Sequence, residues 1–217
     1  MELLDRKKAE LLLKKHGIEV LPLEPARTVS EALKVAGRLG FPLAMKINSP
    51  DITHKTEVGG VILDISNEEE LVDSWEKMMG SVREKAPKAR ILGAVLQKMF
   101  PVAGARELIV GVKNDLQFGH MMMFGLGGIF VEVLKDVSFR LIPISRRDAC
   151  EMLSEIKGKK ILEGFRGQEP IPGKLLEDVL LKVSRMIEKT PRIREMDINP
   201  LLADDKRAVA ADFRIFV

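Results

Sequence analysis

The chain has 217 residues, 46% hydrophobic and 31% charged, the balance of a soluble globular protein with one large domain or two small lobes. Its 35 basic and 32 acidic residues leave a net charge of +3, which argues against a dedicated nucleic-acid surface while leaving room for a local basic cleft. No apolar run approaches the roughly 18 residues of a membrane span, and the single cysteine, Cys150, excludes an intrachain disulfide framework and points to a cytoplasmic setting.

The N-terminal stretch MELLDRKKAELLLKKHG predicts an amphipathic helix stopped by Gly17, with charges throughout and no signal-peptide core. Ile18 to Leu23 is a short strand-like run interrupted by Pro22. Thr28 or Ser30 caps the next helix, and Gly37 and Gly40 weaken its far end. Phe41 to Ile47 predicts a strand that carries Lys46. A polar loop with Ser49-Pro50-Asp51, His54, Lys55 and Gly59-Gly60 leads into the apolar run Val61 to Ile65, so the whole reads as a hairpin. Asn67 begins a helix to about Glu84, with acids in its first turn and Trp75 as a packing residue.

Residues 86–90 read as a linker, which places a lobe boundary near Pro87: residues 1–87 form one lobe and 88–217 the other. In the second lobe, strands are expected at Ile91 to Met99, Glu107 to Lys113, Met121 into the glycine turn at Gly128, Ile129 to Leu134, and Ser138 to Ile144. A helix follows at Arg146 to Ile156, then a loop-rich passage over 157–173. Another helix covers Leu175 to Lys189 and stops at Pro191; strands at Arg194 to Asn199 and Ala208 to Val217 finish the order. The sum is an α+β chain of two lobes around a cleft, with a mostly antiparallel sheet in the second.

Two stretches carry chemistry. In the hairpin, a cation (Lys46), an imidazole (His54) and close-approach backbone (Gly59-Gly60) suit an anion with many oxygens, such as a polyphosphate. The same residues also suit a solvated lysine, an exposed histidine and a plain turn. Near the C-terminus, strand alternation puts Asp197 and Asn199 on one face, and Asp212 lies on the strand expected to return beside them. Two carboxylates and a carboxamide make a hard oxygen site of the kind Mg²⁺ takes; a polar sheet face is the plainer reading. Glu107 and Glu132 are acids inside apolar strands, with Arg140 as a complementary cation. The expected cleft has Lys46 and Arg140 facing Glu107, Asn199 and Asp212 through a metal. Neither a P-loop pattern nor G-x-G-x-x-G occurs, so a nucleotide site here needs another solution.

The segments KINSPDITHKTEVGGV at 46–61, LQKM at 96–99, RELIVGV at 106–112, FGLGGIFVEVLKDVSFRLIPI at 124–144, FRG at 165–167 and DINPL at 197–201 stand in an order that resembles one family. That family is the β subunit of ADP-forming acyl-CoA synthetases (acetate–CoA ligase, ADP-forming), an ATP-grasp protein. The likeness spans about 10–217, with His120 a departure where a proline is expected after Phe-Gly. The resemblance implies an ATP-grasp fold with the nucleotide between two lobes. It implies Lys46 on the nucleotide phosphates under Gly59 and Gly60, and Gln97, Lys98 and Met99 as an adenine hinge. It implies further that Glu107 touches the nucleotide, with Arg140 assigned to the same site, and that Asn199 and Asp212 bind Mg²⁺. The implied reaction is acyl-CoA + ADP + phosphate to acid + ATP + CoA. A phosphohistidine from a CoA-binding α subunit passes its phosphoryl group to His54 and then to ADP, in an α2β2 heterotetramer without nucleic-acid or membrane partners. Asp197 is the candidate carboxylate for the other nitrogen of the His54 ring.

Two other readings share part of this pattern. Another ATP-grasp ligase working through an acyl phosphate needs Lys46 and the metal but not His54. A non-catalytic nucleotide-binding subunit binds Mg-ADP without transferring phosphate. The helix directly after Met1 and the strand at the end lead us to expect a complete subunit rather than a module of a longer protein.

Overall fold

The computed structural model describes residues 1–52, 54–100, 105–128, 135–165 and 167–217. The strand expected at Ile129 to Leu134 with its Glu132, the loop residues Pro101 and Gly104, and Arg166 of the FRG segment lie outside the described residues. The chain divides into two compact units, one of Leu21–Phe100 and one of Met1–Val20 with Pro101–Val217.

The contiguous unit is built on a four-stranded antiparallel sheet in the order β2-β5-β3-β4. Its strands are β2 (Leu23–Ala26), β3 (Leu43–Asn48), β4 (Val61–Ile65) and β5 (Gly93–Lys98), with helices α2 (Val29–Leu39) and α3 (Glu68–Lys85). The hairpin expected around His54 is present: Lys46 pairs with Val61 and Met45 with Ile62. Thr28 caps α2 by accepting from the Glu31 N–H, and Gly40 closes that helix with φ 69°. Asn67 caps α3 through the Glu70 N–H, and three glutamates follow in the first turn. Alternation along β3 turns Leu43, Met45 and Ile47 into a core with Ala32, Val35, Ala36, Leu71, Met78, Val82 and Leu96. Trp75 packs on this core, as expected.

The other unit is built on a seven-stranded sheet, β1-β10-β9-β6-β7-β8, with β11 also paired to β9. Its strands are β1 (Glu19–Val20), β6 (Arg106–Asp115), β7 (Gly119–Leu126), β8 (Val137–Leu141), β9 (Glu195–Ala203), β10 (Ala208–Ala210) and β11 (Phe213–Phe216). Among its described pairings only β1 with β10 is parallel. Helices α1 (Arg6–Lys15), α4 (Arg146–Glu155), α5 (Lys159–Leu162) and α6 (Gly173–Lys189) accompany it. One face of the sheet, with Leu108, Val110, Val112, Met122, Phe124, Met196, Ile198, Phe213 and Ile215, shares a core with Ala149 and Met152 of α4 and Leu176, Leu180 and Val183 of α6. The opposite face carries the odd-numbered residues of β6 and, up to the irregularity before Leu201, those of β9; beyond it Leu201 and Ala203 return to the core.

The unit boundaries differ from the expected 1–87 and 88–217. Strand β5 hydrogen-bonds between β2 and β3, which ties residues 93–98 to the preceding segment. The first twenty residues belong with the C-terminal half: Glu19 pairs with Val209, and Leu3 bridges Phe216. The polar stretch at Pro87 marks only the end of α3. Strand β9 also runs through Pro200 to Ala203, beyond the expected stop at Asn199, because its two neighbours β6 and β10 keep pairing with it to that point.

Candidate functional site

In the contiguous unit the expected hairpin residues fall into two groups. Lys46 and Gln97 lie on adjacent strands, on the face away from the Met45–Leu96 core, and the Lys46 ammonium donates to Gln97 Oε1 at 3.0 Å. Gln97 is only 3% exposed. A lysine held by a buried carboxamide is oriented, unlike a solvated surface lysine. His54 lies on the loop that follows β3, with its side chain 77% exposed and Nδ1 3.8 Å from Glu57 Oε1. Within this unit, therefore, the carboxylate beside His54 is Glu57, three residues along the same loop.

The two glycines close the loop on itself. The Gly59 N–H donates to Thr56 O at 3.1 Å and the Gly60 N–H to Lys55 O at 2.7 Å, so both amides are taken inside the loop rather than presented to a phosphate. Gly59 has φ 70°, and a Cβ there would meet Ser81 Oγ at 2.5 Å. At Gly60 a Cβ would meet Ile47 Cγ2 at 2.5 Å. Packing against the unit's own side chains explains both glycines. At the end of β5, Lys98 N donates to Pro22 O at 3.2 Å and Met99 N to Pro42 O at 3.1 Å. The Lys98 ammonium is tied to Phe41 O, and Met99 Sδ accepts from Asp64 N.

In the larger unit the C-terminal constellation assembles on the sheet face opposite the helices. Asp197 pairs with Gly111 on one side and Arg214 on the other. The next residue of that face, Asn199, is exposed and donates its N–H to Asp212 O at 3.0 Å. Burial pushes the Asp197 carboxyl above the usual carboxylate range; Arg214 opposes the shift, while the like charges of Asp212 and Glu195 add to it. Asp212 Oδ1 accepts from its neighbour Phe213 N at 3.0 Å and from Arg6 Nη1 at 2.9 Å. The Arg6 guanidinium lies over the Phe213 ring, 4.7 Å from its centroid. No acid, histidine or cysteine triad able to hold a metal occurs among the described residues. Two carboxylates and one carboxamide do fit Mg²⁺, which keeps several waters and shares phosphate oxygens.

Glu107 shares this face by strand parity. Its carbonyl accepts from Gly127 N at 2.7 Å, and a Cβ on Gly128 would meet its Oε2 at 2.8 Å. The carboxylate therefore lies against the glycine turn, at a cavity of about 490 Å³ that Phe165 and Gln168 also line. Arg106 next to it is buried and donates to Ile161 O and Glu169 O, which ties those two residues to the start of β6.

Arg140 is not part of this group. It pairs in register with Met122, and so faces the helices, where it is bound to Glu155 and Glu151 of α4. Those carboxylates raise its pKa still further above the ordinary arginine value. The sequence expectation of Arg140 across from Glu107 is corrected by this parity. Conversely, Arg6, Arg214 and Glu57 were not singled out from sequence; the Arg–Ile–Phe alternation of β11 was the available signal for Arg214 alone.

Comparison with known proteins bears on what this arrangement serves. A family profile described as an ATP-grasp domain matches residues 1–217. The β subunit of acetate–CoA ligase (ADP-forming) I from Pyrococcus furiosus is 44% identical over 209 residues, 96% of this chain and 89% of that one. The chain belongs to the ATP-grasp family of ADP-forming acetate–CoA ligase β subunits. The fold agrees with that membership. The dinucleotide-forming acetyl-coenzyme A synthetase 1 of Ca. Korarchaeum cryptofilum, solved with coenzyme A, Ca-AMPCP and HgCl⁺, superimposes with a TM-score of 0.91 at 38% identity, covering 100% of this chain and 93% of that one. The same enzyme with coenzyme A and Mg-AMPPCP, its phosphohistidine segment pointing towards the nucleotide-binding site, gives a TM-score of 0.84 at 35% identity, covering 99% and 92%. An ATP-grasp β subunit thus presents Lys46 with Gln97 on one sheet and Asp197, Asn199 and Asp212 on the other. Among the described residues no helix is long and apolar enough to cross a membrane.

Proposed function

We propose that this chain is the nucleotide-binding half of an ADP-forming acyl-CoA synthetase, working with a CoA-binding α subunit in an α2β2 heterotetramer of the cytoplasm, with neither nucleic acid nor membrane as a partner. The observation that carries the reading is the oxygen cluster of Asp197, Asn199 and Asp212 in a chain that matches P. furiosus β subunits over nearly its whole length. Asn199 and Asp212 hold Mg²⁺, and Lys46, steadied by Gln97, holds the nucleotide phosphates. Glu107 contacts the nucleotide and residues 97–99 border the adenine. Bound Mg²⁺ supplies charge neutralisation for the transferring phosphoryl group.

His54 is the phosphoryl acceptor in this reading. Its exposure leaves either ring nitrogen open to attack on a phosphohistidine of the partner. The N–P bond of the donor breaks as the bond to His54 forms; the second transfer breaks that bond and joins phosphorus to the terminal phosphate oxygen of ADP. Neutral imidazole is the nucleophile. A carboxylate stabilises the charged phosphoimidazole by holding the other ring nitrogen. Asp197 is assigned that role here, and Glu57 is the acid that already stands beside the ring.

The test is transfer of label from γ-labelled ATP and Mg²⁺ to the purified chain, with His54→Ala and His54→Asn alongside. Acid-labile, base-stable label on the unmodified chain that is absent from both variants supports the relay. Label that persists in both variants removes His54 from the mechanism. Nucleotide binding without label, even with the α subunit present, would favour a non-catalytic subunit.

A further inference from the structure

Arg6 sits in the first turn of α1, far in sequence from every residue assigned above, yet it reaches Asp212. Its contact is end-on. Nη1 donates to Asp212 Oδ1 at 2.9 Å, and the Phe213 N–H donates to the same oxygen at 3.0 Å. Among the described residues Oδ2 accepts nothing, and Arg6 Nε is buried without a partner. A purely structural arginine–carboxylate pair favours the two-pronged fork, which satisfies both oxygens and both donors. Here the fork is given up, at the cost of an unpaired buried donor. What the arrangement achieves is a carboxylate with one oxygen fixed by two donors and the other left open. The stack of the guanidinium on the Phe213 ring fixes the arginine in turn.

We propose that Arg6 is a positioning residue that orients Asp212 so that Oδ2 faces the metal ion beside Asn199. The proposal rests on the reading of Asn199 and Asp212 as Mg²⁺ ligands and adds the group that aims one of them. Partners of this kind, one step removed from the ion, change metal affinity by about 10–100-fold when removed.

The experiment is ADP binding by calorimetry, in Mg²⁺ and in EDTA, for the purified chain and for Arg6→Met, Arg6→Gln and Asp212→Asn. The ratio of the two dissociation constants is the gain due to metal. In the unmodified chain Mg²⁺ tightens ADP binding, and Asp212→Asn loses that gain. Arg6→Met is expected to lose about tenfold or more of it with the affinity in EDTA unchanged, and Arg6→Gln, which keeps a donor without the charge, to recover part. An Arg6→Met chain that keeps the full gain overturns the proposal. So does a loss that appears equally in EDTA, which would mark Arg6 as a general structural support. If Asp212→Asn itself keeps the gain, the metal assignment fails, and this proposal fails with it.

Discussion

The Lys46 ammonium donates to Gln97 Oε1 at 3.0 Å across two neighbouring strands, and the carboxamide is almost wholly buried. The pairing explains how a flexible side chain is kept aimed. Lys46→Met is expected to lower kcat/KM for the nucleotide by about two orders of magnitude, the usual loss for one preorganised donor to a transferring group. Gln97→Leu keeps the cation and removes its anchor, so a smaller loss, mostly in KM, is expected. Steady-state kinetics with the α subunit measures both.

The raised pKa of Asp197 makes a pH-dependent prediction. A carboxyl whose folded pKa lies above its unfolded value favours folding where it is protonated, and that contribution is lost as pH rises from about 3.9 through the folded value. Asp197→Asn is therefore expected to raise the melting temperature at pH 7, with the gain disappearing at acid pH. Thermal unfolding across pH 3.5 to 7.5 checks this. A lower melting temperature at pH 7 would contradict it.

Arg140 provides the opposite kind of test. Its guanidinium is occupied by Glu151 and Glu155 on the helix side of the sheet. Arg140→Ala is expected to leave KM for ADP unchanged and to lower the melting temperature by less than about 4 °C, because partly exposed ion pairs contribute little. A change in nucleotide KM would return Arg140 to the site.

At Gly60 the argument is steric. A Cβ would sit 2.5 Å from Ile47 Cγ2 and 3.0 Å from the Lys55 carbonyl oxygen. Gly60→Ala is expected to destabilise the protein by about 1–3 kcal/mol through overpacking, read by urea denaturation.

Several of these features were legible in the sequence. The period of two put Asp197 and Asn199 on one face, and the turn chemistry after Lys46 gave the hairpin; both follow from local geometry. Arg140 was misassigned because alternation says which residues share a face but not which face meets the helices. That was decided by Arg140 pairing with Met122, whose side chain is in the core. The unit boundary near Pro87 was misplaced for a related reason. Nothing in the run Gly93–Lys98 distinguishes a strand that pairs backwards, with Leu43–Asn48, from one that pairs forwards. Arg6 was invisible to local reading, since its partner is 206 positions away.

The discontinuous unit also has a history written into its order of synthesis. Strands β2 to β5 have all their partners once Lys98 has left the ribosome, so the Leu21–Phe100 unit is free to close early. Strand β1 waits for β10, and Leu3 for Phe216, partners made far later in the chain. Until then α1 has no sheet to cover its Ala9 and Leu13, and the nascent protein displays that apolar stripe to whatever guards new chains. Helix α1 is made well before the strands it packs on and must wait for them, and it carries Arg6 with it.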